Sequence, residues 1–129
     1  MSDANTPVIS ATGLYTPSDT ISNEELVASF NAYVDLYNAR NPDVEPLVHS
    51  SVEFVEKASG IKSRHVIDKS AIIDPAIMEP RYAERPNDQV SLMAEIGVAA
   101  CRDALAKAGR DIADVDAVLC AASNMQRAY

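Results

Sequence analysis

Few side chains in this sequence can do covalent chemistry, and their settings are informative. The two thiols are Cys101 and Cys120. A thiolate forms where a nearby cation or a helix N-terminus stabilises it. Both cysteines stand instead inside apolar runs and lack metal-ligand spacing. They read as reduced, buried, inert thiols. There are two histidines, and His65 has no accompanying carboxylate pattern. His65 reads as a hydrogen-bonded structural residue and His49 as exposed. Lys57, Lys62 and Arg64 gather positive charge into one stretch. Such a stretch either holds a phosphate or faces solvent.

These residues must be carried by recognisable elements. Pro7–Gly13 is a short β-prone run closed by Gly, and Thr16–Asp19 has turn composition. Ser22 with Glu25 fits a capping box. Behind it Leu26, Phe30, Tyr33 and Tyr37 recur at helical spacing, predicting an amphipathic helix that ends near Asn41-Pro42. Ser50 with Glu53 signals a second, short helix over Ser51–Ala58, stopped by Gly60. Ile61–Ile67 is a strand whose centre is too polar for full burial. Residues 68–88, with Pro75, Pro80 and Pro86, read as a long surface insertion with a short helical excursion over Ile72–Met78. A long helix is expected over Gln89–Ala108, with Ala94, Gly97, Ala100 and Ala104 letting a neighbouring backbone come close. Gly109 ends it, and Val115–Ala122 reads as a buried strand. Strands alternating with helices give an α/β class, a mixed sheet covered by helices.

The bulk numbers narrow the function. A length of 129 residues suits one domain, and 47% hydrophobic residues supply a core. With 5% aromatics and no Trp, that core must be aliphatic. A net charge of −8 argues against a nucleic acid or an anionic membrane as partner. The N-terminal residues lack the basic and apolar regions of a signal peptide, and no run approaches the roughly 18 apolar residues of a membrane span. A cytoplasmic protein is expected. The sequence stops shortly after the last expected strand, where α/β proteins usually keep their chemistry. The expectation is therefore an incomplete domain, whose remaining polypeptide is a separate or missing segment.

Four segments in order carry a resemblance. They are Ile9–Pro17, Ile21–Leu26, Ser59-Gly-Ile-Lys-Ser-Arg-His65, and the long helix with Ala104–Gly109 feeding the terminal strand. Together they resemble the N-terminal part of β-ketoacyl-acyl carrier protein synthase III enzymes, which have the thiolase-like fold. Ser59–His65 is similar to that family's "TGIRERH" signature, and Arg127-Ala128-Tyr129 to its "H-A-F" loop. The pattern is interrupted at residues 31–48 and 68–88, which look like insertions.

The resemblance implies an acyltransferase that performs decarboxylative Claisen condensation of an acyl thioester with a malonyl thioester, in fatty acid or polyketide-type biosynthesis. The family's catalytic Cys, His and Asn fall beyond Tyr129, so no catalytic residue is expected in this chain. It also implies coenzyme A or carrier-protein thioesters as substrates, no resident cofactor or metal, an acyl carrier protein partner, and a homodimer. Phe54 matches the family's Trp that stacks on adenine; it offers a smaller π face, or else anchors the short helix. Ala58 stands where relatives carry a coenzyme-contacting Arg, and Lys57 is a substitute point charge. Ser59 keeps the hydroxyl of the signature Thr, and Lys62 adds charge beside it. Ser123 matches a small hydroxyl residue near the active-site floor. Tyr129 matches the Phe that reaches across the dimer into the partner's acyl pocket. The alternative from another class is a non-catalytic thiolase-like partner subunit of a synthase.

Overall fold

The computed structural model describes residues 7–122. They fall into two compact units, one formed by Thr16–Ala83 and the other by the described residues of Met1–Tyr15 and Glu84–Tyr129.

The first unit is built on β1 (Asp19–Ser22), α1 (Asn23–Arg40), α2 (Val52–Ser59) and β2 (Ser63–Val66). Ser22 closes β1 and starts α1 at once. Its Oγ accepts the Glu25 N–H at 3.1 Å, and Glu25 Oε2 accepts the Ser22 N–H at 3.0 Å. This is the expected capping box, which satisfies two otherwise orphaned donors. Asn41 ends the helix, its N–H and its side-chain Nδ2 both reaching the Tyr37 carbonyl. β1 and β2 pair antiparallel, with Asp19 opposite Val66, Ile21 opposite Arg64 and Ser22 opposite Ser63. The core is small and aliphatic: Ile21 is 0% exposed and Val34 1%, with Val27 beside them. Each such burial stabilises by roughly 1.5–3 kcal/mol. Phe30, Tyr33 and Tyr37 run up α1 as tilted ring pairs 6.5 and 6.0 Å apart.

The stretch between α1 and α2 is clamped along α1 by two asparagines. The Asn38 amide donates to the Leu47 carbonyl at 3.0 Å and accepts the Leu47 N–H at 2.9 Å. Asn31 treats Ser50 the same way, at 3.1 and 2.8 Å. Seven residues of helix rise about 10.5 Å; three residues of extended chain rise about 10 Å. The two clamps therefore match in pitch. Each side-chain amide plays the part of a neighbouring strand.

Residues 68–83 form turns without a helix or strand. The expected excursion over Ile72–Met78 is a single turn, closed by the Met78 N–H on the Asp74 carbonyl at 2.9 Å. Lys69 ties this stretch back: its Nζ meets Glu25 Oε1 at 2.7 Å.

The second unit is dominated by α3 (Leu92–Ala108). It begins at Leu92 rather than Gln89, because Ser91 caps it through the Ala94 N–H. Gly109 ends it with φ 61°, and the Arg110 N–H turns back to the Leu105 carbonyl. Gly13 lies against this helix so closely that a Cβ there would overlap the Ala100 carbonyl and the Ala104 nitrogen. The small-residue face thus does what its composition predicts. Leu14 N–H donates to Asp103 Oδ2 at 2.9 Å. Among the described residues no helix is long and apolar enough to cross a membrane.

Two strand expectations fail here. Neither Pro7–Gly13 nor Val115–Ala122 joins a ladder, and the only sheet among the described residues is the antiparallel pair β1–β2. The apolar side chains of these runs face outward, with Leu119 100% exposed. A strand is a pairing, and neither run meets a partner edge among the described residues. The reading of Cys101 and Cys120 as buried fails with them, since both are exposed. Conversely β1 lies where a turn was expected at its first residue. Its short length and single buried apolar residue, Ile21, hide it in the sequence.

Candidate functional site

Phe54, Lys57, Ser59 and Lys62, four of the residues expected to bind substrate, lie on α2 and the turn that leaves it. Ser51 caps α2 by accepting the Phe54 N–H at 3.1 Å. Gly60 ends it in the left-handed region, φ 69°, with its N–H on the Glu56 carbonyl at 2.7 Å. The cap is Ser51, one residue after the Ser50 that the spacing suggested. Between these stops Phe54 and Lys57 stand three positions apart and so are neighbours on the helix surface. Phe54 is 66% exposed and does not anchor α2 in the core. Lys57 is exposed and makes no ion pair among the described residues. An open aromatic face beside a free ammonium suits a flat ring carrying phosphate.

Ser59 turns inward on its own helix. Its Oγ donates to the Val55 carbonyl at 2.7 Å and accepts the Ile61 N–H at 3.1 Å. It therefore shapes the turn. Lys62 is directed back toward Glu56, 3.5 Å away with both side chains largely solvated, a pair of small energetic weight. Ser123 and Tyr129 lie outside the described residues.

What holds this turn was not evident in the sequence. Asn23, only 2% exposed, donates through Nδ2 to the Ile61 carbonyl at 2.8 Å, and its backbone N–H meets the Lys62 carbonyl at 3.2 Å. Its Oδ1 accepts Arg64 Nη2 at 3.2 Å. Asn23 thus fastens the start of α1 to the segment that follows α2. Only its position directly after the capping serine hinted at more than a helix start. Arg64 belongs to this knot rather than to an open phosphate site: its Nη1 is sealed from solvent and meets no acceptor among the described residues.

The titratable groups near the knot are set by hydrogen bonds. Lys69, then the Ser22 N–H, hold Glu25 below the usual carboxylate range, and Glu25 in turn raises Lys69. Backbone bonding and the Ser22 hydroxyl lower Glu24. His65 Nδ1 lies 2.9 Å from the Pro17 carbonyl, the structural role expected of it. His49 pairs with Asp35 at 2.8 Å on the surface.

No family model matches the chain. A curated relative does: over 107 residues the chain is 50% identical to the beta-ketodecanoyl-[acyl-carrier-protein] synthase of Pseudomonas aeruginosa. The match takes in 78% of this chain and 31% of that synthase, so the chain spans about a third of the relative's length.

Proposed function

We infer that this chain is the N-terminal part of a thiolase-like condensing enzyme of the β-ketoacyl-acyl carrier protein synthase III type. The observation that carries this reading is 50% identity over 107 residues to a beta-ketodecanoyl-[acyl-carrier-protein] synthase. The order of the sequence segments and the α2 site support it.

The reaction joins two thioesters. A cysteine thiolate takes the acyl group and releases the donor thiol. Loss of carbon dioxide from the malonyl thioester leaves a carbanion, which attacks the enzyme-bound acyl carbon and expels the cysteine thiolate. The catalytic residues belong to polypeptide other than this chain, and neither Cys101 nor Cys120 serves. The contribution of this chain is to hold the donor. Phe54 stacks on the adenine of a coenzyme A thioester, and Lys57 neutralises phosphate in place of the arginine that Ala58 lacks. Carrier-protein docking and a homodimer, with Tyr129 reaching toward the partner's acyl pocket and Ser123 near the floor, complete the proposal. A ten-carbon β-keto product requires an eight-carbon acyl donor, because condensation adds two carbons.

The test is to incubate the whole protein with labelled octanoyl-coenzyme A and malonyl-acyl carrier protein, then map the label by mass spectrometry. The expected result is a β-ketodecanoyl product, with a transient acyl group on a cysteine other than Cys101 and Cys120. Label on either of those thiols overturns the assignment. Absence of transfer, with stimulation of a second synthase on mixing, supports the non-catalytic partner role instead.

A further inference from the structure

Met78 is the one non-glycine residue with a left-handed backbone among those described, φ 56°. Methionine gains nothing from that conformation, so the surroundings must hold it there. The Met78 N–H is fixed on the Asp74 carbonyl. Its side chain lines a cleft of about 220 Å³ together with Leu26, Val27 and Phe30 of α1, Ser50, and Val55 of α2. There its Sδ accepts the Ser29 hydroxyl at 3.1 Å, and Ser29 is 7% exposed. The thioether is thus a point where the segment 68–83 meets the cleft between α1 and α2. It is half-buried, so a small oxidant can reach it.

We propose that Met78 is an oxidation-sensitive latch: its thioether holds the segment 68–83 onto α1 and α2, and conversion to the sulfoxide releases it. The oxidant is a hydroperoxide. The sulfur lone pair attacks the distal peroxide oxygen, an S–O bond forms, the O–O bond breaks, and water or an alcohol leaves with the transferred proton. Sulfur loses two electrons and the peroxide gains them. The product places a strongly polar S=O, hydrogen-bonded by the Ser29 hydroxyl, against a cleft whose other lining is mostly apolar. A polar group so placed disfavours the docked state. Lys69 and Arg81 lie near the two ends of the segment and report its release as tryptic sites. The latch is a property of this unit and does not depend on the proposed reaction.

The whole protein is treated with graded hydrogen peroxide, mapped for a 16-dalton gain at Met78, and probed by limited trypsin digestion. Cleavage after Arg81 is expected to quicken at least fivefold in step with Met78 oxidation and to return to its starting rate after treatment with methionine sulfoxide reductase. Met78→Leu, which keeps the volume and removes the sulfur, is expected to show no peroxide response at that site. Met78→Ala, which empties the latch, is expected to cleave fast without oxidant. Oxidation of Met78 with unchanged cleavage, or an equal peroxide response in Met78→Leu, overturns the proposal.

Discussion

In the proposed donor site, Phe54 and Lys57 allow binding to be tested apart from folding. Because Phe54 is exposed, truncating it removes a stacking face and little packing. Base–aromatic stacking is worth roughly 1–3 kcal/mol. Phe54→Ala is therefore expected to raise the KM for an acyl-coenzyme A about tenfold while the unfolding midpoint stays put; steady-state kinetics beside a denaturant titration check both. Glu25 gives a pH signature. Its pKa is lowered on folding, so its stabilisation is fully present above the ordinary glutamate value of about 4.3 and fades as the pH falls through the lowered value. Lys69, raised on folding, contributes below the ordinary lysine value of about 10.4 and fades as the pH climbs through its raised value. Glu25→Gln is expected to weaken the pH dependence of the melting temperature at both ends, measured from pH 3 to 11. A full acid limb in the variant would contradict this assignment.

At the scale of elements, the helices were legible and, apart from β2 within Ile61–Ile67, the strands were not, for one physical reason. Helix ends are written locally. Ser22 with Glu25 starts α1, Gly60 stops α2 and Gly109 stops α3, each through hydrogen bonds within a few residues. Strand identity depends on what lies across the ladder, so Val115–Ala122 carries a strand-like composition without being one among the described residues. Met78 was illegible for a related reason, since only its tertiary setting imposes φ 56°. The candidate site divides the same way. Phe54 and Lys57 came from the resemblance of the sequence to a known family, whereas the Asn23 knot joins residues about 40 positions apart and is visible only in three dimensions. Gly13→Ala offers a sharp check on packing. The added methyl would collide with the α3 backbone, and a loss of about 1–3 kcal/mol is expected by chemical denaturation. Gly60→Ala meets open space and should cost only about 1 kcal/mol, through its left-handed backbone.

For the whole molecule, the balance of apolar surface is the dominant fact. Val8, Ile9, Leu14, Val118 and Leu119 are all exposed, each at least 73%. Residues 1–129 produced alone are expected to bind a hydrophobic dye and to self-associate. The double change Val118→Thr with Leu119→Asp should at least double the soluble fraction, read by light scattering and by assay of the supernatant. An unaltered chain that stays monomeric and dark to the dye would contradict this. The fold class was legible at this scale as α/β, but how the described runs pair into a sheet was not, because composition records which segments are apolar and not which edges they meet.

The matched asparagine clamps carry a consequence for engineering. Asn31 and Asn38 fasten the chain at Ser50 and Leu47, so the bend from Asn41 to Pro46 hangs outside the fastened stretch. Extra residues spliced at Asp43 would lengthen that bend while leaving both anchors in phase, which makes it a natural port for an epitope or a fluorophore. A single residue added between Leu47 and Ser50 would throw the two anchors out of step, and only one could close at a time.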